Sequence, residues 1–123
     1  MITENQNKAS TNATAKAKMP AGEAFDIIGM VNYAEGSIVS RTLIENKGGT
    51  ITLFAFDAGQ SLSEHTAPFD AFVQVLDGEG EFTIGGKTSN VTAGQGLLMP
   101  ANIPHSLKAL KRFKMLLTML KLQ

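Results

Sequence analysis

From Ser37 onward, short runs of β-branched, aliphatic and aromatic residues alternate with glycine-bearing polar breaks at near-regular intervals. That habit predicts an all-β sandwich or barrel. The breaks fall at 46–49 (NKGG), 57–59 (DAG), 77–80 (DGEG), 85–87 (GGK) and 93–96 (AGQG), and each supplies residues that tolerate positive φ. Strands are expected at 38–45, 50–56, 71–76, 81–84 and 96–99. Gly85-Gly86 reads as a two-residue hairpin joining 81–84 to a strand that starts at Lys87. Gly78-Glu79-Gly80 reads as another hairpin turn.

The segment RFKMLLTMLK at 112–121 is ambiguous, because Lys, Met and Leu favour helix while Phe113, Met115, Leu117 and Met119 alternate with period two. A barrel needs a closing strand, so strand is expected. Residues 1–22 are rich in Asn, Thr, Ala and Lys and offer almost nothing to bury against the entropy of ordering. They are expected to form a flexible tail, leaving 23–123 as the folded domain. A short helical turn is expected near 25–31, where Phe25, Ile28 and Met30 supply a local apolar face.

Composition narrows the partners. A chain of 123 residues is one domain, and eleven basic residues balance eleven acidic ones. Nothing there gathers nucleic acid or anionic membrane. No cysteine occurs, which excludes disulfides, thiolate metal sites and a cysteine nucleophile. The first 19 residues lack the apolar run of a secretory signal and no apolar stretch is long enough to span a bilayer, so a cytoplasmic location is expected.

Phe54, Phe56, Phe69, Phe72, Phe82, Phe113, Met99, Met115 and Met119 read as core. AFVQVL and MLLTML are apolar on both faces of a strand, more than one barrel interior hides, so a homodimer is expected. Lys108, Lys111, Arg112 and Lys114 read as a solvated edge that discourages strand pairing. No glycine turn has the context of a phosphate loop, and no serine sits in a nucleophile elbow.

The two histidines each lie in a glycine and proline framework: Gly59 to Gly78 (GQSLSEHTAPFDAFVQVLDG) and Gly94 to Ala109 (GQGLLMPANIPHSLKA). In these segments the chain resembles the cupin superfamily. Gly59, His65 and Gly78 fall at the spacing of its first motif, and Gly94, Pro100 and His105 at that of its second. Asn102 replaces a motif glycine, and asparagine is the residue that best tolerates the left-handed backbone after glycine. The resemblance spans about Ser37 to Leu122 and implies a double-stranded β-helix, the jelly-roll barrel of that superfamily.

The resemblance also implies a metal held by three histidines and a glutamate. Here those positions read His65, Ala67, Ala71 and His105. A divalent transition metal wants three or more protein donors. A third could come from Asp70, one residue off the glutamate position and therefore on the opposite strand face unless a bulge or a shorter turn after Pro68 brings it inward. Glu64 and Gln74 have the same parity problem.

The favoured expectation is a small molecule bound near His65 and His105, in a pocket lined by Ala67, Ala71, Val73 and Leu107. The alternatives are an enzyme, such as an oxygenase or isomerase of a small acid or sugar, using one divalent metal on His65, His105 and Asp70, and a structural protein with a closed barrel. Histidine acid-base chemistry without a metal needs an orienting partner, for which Asp70 and Glu64 are the candidates. A sugar-nucleotide epimerase is disfavoured by the single tyrosine, Tyr33, and the scarcity of arginine.

Overall fold

A computed structural model describes residues 16–17 and 19–121, and among them there is no α-helix. Among the described residues nine strands are present: β1 (Lys16–Ala17), β2 (Ile38–Asn46), β3 (Gly49–Phe56), β4 (Ser61–His65), β5 (Asp70–Ile84), β6 (Lys87–Thr92), β7 (Gly96–Met99), β8 (His105–Lys108) and β9 (Phe113–Leu120). All pairings are antiparallel, in the order β1-β2-β3-β9-β5-β8-β4, with β6 and β7 also paired to β5. The sheet curls on itself, giving the all-β jelly roll that the glycine spacing and the motifs predict. A single 3-10 turn at Ile28–Met30 stands where the helical turn was expected.

The long strand β5 organises the barrel. Its first half pairs with β7 and β9, its second half with β6 and β8. The segment 77–80, expected to be a hairpin turn, is instead the corner at which this one strand passes from one half-sheet to the other. A register shift between Val75 and Asp77 and a positive φ of 73° at Gly78 make the bend. A Cβ on Gly78 would lie 2.0 Å from the Arg112 carbonyl oxygen, and one on Gly80 would lie 2.8 Å from the Phe113 ring. The glycines therefore serve close approach of β9 rather than chain reversal.

Alternation along the strands sends Phe54, Phe56, Val73, Val75, Phe82, Leu107, Phe113 and Met115 into the interior cluster. Phe113 stacks on Phe56 with centroids 4.6 Å apart and meets Phe82 edge-on at 5.9 Å. Each fully buried ring of this kind stabilises by about 1.5–3 kcal/mol relative to exposure.

Leu43, Leu53 and Ala55 are buried on the outer face, where Val31, with Met19, Ile27, Met30 and Tyr33, covers them. Part of the apolar outer surface that pointed to a second copy is thus covered by the chain's own segment 19–33. Within the stretch read as a tail, Lys16–Ala17 pairs with Glu45 and Ile44 of β2 and Met19 packs on this cluster; residues 1–15 lie outside the described residues.

The reading of Lys114 as a solvated edge residue is corrected. Lys114 is buried, donates to the Ile28 carbonyl at 2.8 Å and sits 5.1 Å from the centre of the Tyr33 ring. Its aliphatic stem fills the outer cluster while its ammonium ties down segment 19–33. Tyr33 donates to Asp77 at 2.6 Å, and its pKa is pushed well above the ordinary tyrosine value by burial and then by that carboxylate. Arg112 is ion-paired with Asp57 at 2.8 Å, which together with the Gly36 N–H holds the Asp57 carboxyl below its usual value. Lys108 and Lys111 are exposed, as expected of an edge.

Candidate functional site

His65 ends β4 and His105 begins β8, so both stand at the rim of the barrel. β4 is a border strand of its half-sheet, and His65 is exposed; His105, one strand further in, is 6% exposed. Strict alternation would put Leu62 and His65 on opposite faces. The register resolves this: Leu62 pairs with Leu107 and His65 with His105, so three residues of β4 run against two of β8. The extra residue is a β-bulge, and it brings His65 onto the inner face beside His105. Ser63 and Glu64 turn to the outside.

The rings meet edge to face, centroids 4.3 Å apart, with Nε2 to Nε2 at 3.0 Å. Each ring is oriented from behind by the carbonyl two residues upstream: His65 Nδ1 is 2.8 Å from the Ser63 oxygen and His105 Nδ1 is 3.2 Å from the Ile103 oxygen. A carbonyl oxygen only accepts, so the Nδ1 side of each ring is the one its backbone holds, and the two Nε2 atoms face each other. Burial holds the His105 pKa below the ordinary histidine value, and the neighbouring His65 acts in the same direction, against the Ile103 carbonyl.

The loops that carry the histidines are stapled to one another and to the sheet. Asn102 donates to the Ala67 carbonyl at 2.8 Å, Gly85 to the Pro104 carbonyl at 2.8 Å, and Ala101 to the Asp70 carboxylate at 2.8 Å. Asn102 has φ of 66°, the left-handed conformation expected of the residue standing for the motif glycine. Asp70 is exposed and Ala71 buried, so the one-residue offset does turn the carboxylate off the inner face. Its role is to hold the loop that leads into His105. Sequence reasoning had no signal for this, since the partner is a backbone amide 31 positions away.

Among the described residues, no three His, Cys, Asp or Glu side chains converge to hold a metal ion. Two imidazoles 3.0 Å apart have the spacing of neighbouring ligands on one ion, but the donor set stops at two. The residues present do not fit the four-ligand metal centre that the motifs imply. Of the expected pocket lining, Ala71, Val73 and Leu107 are packed into the core and Ala67 is half-buried in the loop after His65. A shallow depression of about 310 Å³ lies over β4, β8 and the second half of β5 instead, lined by Ser61, Leu62, Ser63, Glu64, Glu81, Thr83, Ser106, Leu107 and Lys108. Glu64 belongs to that depression and does not orient either ring.

A curled antiparallel sheet, two glycine-framed motifs and a histidine from each meeting at the rim define a small barrel of the double-stranded β-helix class. Residues 52–119 match the family model described as "Cupin domain", and the chain belongs to that family. It is similar to a conserved protein of unknown function from Streptococcus pyogenes, at 34% identity over 93% of this chain and 99% of that one, with a TM-score of 0.83. A cupin 2 conserved barrel domain protein from Leptotrichia buccalis is 43% identical over 79% of this chain and 47% of its own, with a TM-score of 0.76. A cupin superfamily protein from Desulfitobacterium hafniense is 27% identical over 88% and 98%, with a TM-score of 0.80. No curated protein matches the sequence.

Proposed function

We propose that the protein binds a small molecule at the barrel rim, on the His65–His105 pair. The observation that carries this reading is the bulge-directed contact of the two Nε2 atoms, each ring fixed through Nδ1 by its own backbone. A fold that needs only to bury apolar surface gains nothing from aiming two imidazole nitrogens at one point. Convergent polar atoms at the edge of an apolar interior are the usual make-up of a ligand site. His65, exposed on a border strand, is the ring that moves to admit a ligand, and His105 is the fixed one.

The test is a thermal-shift screen of small acids, sugars and neutral polar metabolites on the wild type and on His65→Ala. The reading expects at least one compound to stabilise the wild type and to lose that effect in His65→Ala. Equal effects in both proteins, or no effect of any compound, would contradict it.

A homodimer belongs to the same proposal. Phe72 and Leu98 are neighbours across the β5–β7 pairing, 43% and 54% exposed, on the outer face beyond the cover of segment 19–33. Equilibrium sedimentation is expected to give a dimer that Phe72→Ser weakens; a monomer at micromolar wild-type concentration would contradict it.

A further inference from the structure

We propose that Thr42, Thr50 and Thr52 form a second wall of the same site and that its ligand is a neutral molecule carrying several hydroxyl groups, a polyol or simple sugar; this rests on the small-molecule reading and names the class of molecule. Alternation places the wall. On β3, Phe54 and Phe56 point into the interior cluster while Ile51, Leu53 and Ala55 join the outer one, so Thr50 and Thr52 face inward. On β2, Thr42 stands opposite Thr52 and Ser40 opposite Phe54, on that same face. On β9, Leu117 stands beside Thr52 and Met119 beside Thr50. The interior is sealed around Phe56, Phe82 and Phe113, whereas Thr42, Thr50, Thr52, Leu117 and Met119 are only half-buried. It therefore opens to solvent at one end.

That end is the one that carries the histidines. The cross-strand row through Thr50 runs Thr50, Met119, Ala71, Met99. Ala71 adjoins the connection that follows His65, and Met99 adjoins the one that leads into His105. The threonines hold the inner face of one half-sheet where the imidazoles hold that of the other, with Ala71, Met99 and Met119 as an apolar floor. A cross-strand threonine pair ordinarily ties a sheet together. Thr83 and Thr88 do so on the outer face of the other half-sheet, their hydroxyls 2.9 Å apart. The Thr42 and Thr52 hydroxyls stand 3.4 Å apart, longer than the about 2.7–2.8 Å of a closed O–H···O bond, and Thr50 has no side-chain hydrogen bond among the described residues. Each of these hydroxyls keeps donor and acceptor capacity for a ligand. A ligand hydroxyl accepts from one threonine and donates to the next, while its C–H face rests on the floor. A carboxylate only accepts and would find no cation in this wall, so its desolvation would go uncompensated.

The experiment titrates full-length protein at neutral pH with xylitol, mannitol, xylose and glucose, and separately with succinate and acetamide, following the threonine methyl and histidine ring resonances by NMR. At least one hydroxylated compound is expected to shift the Thr42, Thr50 and Thr52 methyls and both rings saturably, and succinate and acetamide to leave them unmoved. Thr52→Val is expected to weaken that compound about fivefold, the loss of one hydrogen bond, and Thr88→Val, which deletes the outer pair, to leave binding unchanged. Valine keeps the β-branch that suits a strand, so both variants fold. Equal binding by wild type and Thr52→Val, or equal weakening by the two variants, would overturn the wall; so would a hydroxylated compound that binds His65→Ala as well as wild type. Equal shifts with succinate or acetamide, or silence to every hydroxylated compound while another compound of the thermal screen binds, would overturn the class and leave a small-molecule site standing. Silence to every compound would overturn both.

Discussion

The two histidines differ in what surrounds them, and that difference has a consequence for acid stability. His105 is buried, and burial, more than its neighbour, lowers its pKa in the folded chain. In the unfolded chain a histidine titrates near about 6.5. Below that value the unfolded chain takes up a proton that the folded one resists, so the His105 contribution is complete above it and is lost as pH falls through the lower folded value. Melting temperature is therefore expected to drop across that acid window in the wild type. His65→Ala removes one cause of the shift and opens His105 to water, so its drop is shallower; identical slopes would contradict the coupling.

Asp70 acts at the same scale but at a distance from the rings. Asp70→Ala deletes the acceptor of the Ala101 amide and costs about 1 kcal/mol, the usual net value of one such bond. A thermal melt measures this, and the His105 ring resonances are expected to broaden as its loop loosens. The histidines and the left-handed Asn102 were legible from motif spacing and residue type. The Asp70 contact was not, because no local pattern marks an acceptor for a backbone amide that only the fold brings near.

At the level of elements, the sequence is most readable where strands carry apolar alternation, as in β3, β7 and β9. β4 (SLSEH) and β8 (HSLK) escaped notice because each has a single leucine facing in and otherwise presents polar side chains. Backbone pairing with neighbouring strands makes them strands. The DGEG corner misled for another reason: glycine and aspartate are turn residues, and nothing local distinguishes a reversal from a bulge in a 15-residue strand. The two uses of glycine separate by mutation. Gly78→Ala meets the Arg112 carbonyl and is expected to cost more than about 2 kcal/mol, whereas Gly59→Asn, with a φ of 89° and open space around it, costs about 1 kcal/mol or less. Denaturant melts compare them; equal losses would show that strain at φ, not packing of β9, decides.

Across the whole molecule, two apolar layers share one curled sheet: an interior sealed by Phe56, Phe82 and Phe113, and an outer cluster sealed by segment 19–33. The barrel was legible from glycine spacing. The outer layer was legible only as excess apolar surface, since its cover comes from residues with no strand or long-helix pattern. Removing residues up to Tyr33 exposes Leu43, Leu53 and Ala55 and is expected to lower the melting temperature and raise binding of a hydrophobic dye. An unchanged melt would show that this cover is dispensable.

The fold therefore leaves the rim free to keep two histidines of a family metal motif, their Nε2 atoms 3.0 Å apart, while alanines occupy the other two positions. The direct measurement is the thermal shift of wild type and of His65→Ala with small acids, sugars and neutral polar metabolites. The account predicts at least one compound that stabilises the wild type and loses that effect in His65→Ala. Equal stabilisation of both proteins, or of neither by any compound, would contradict it.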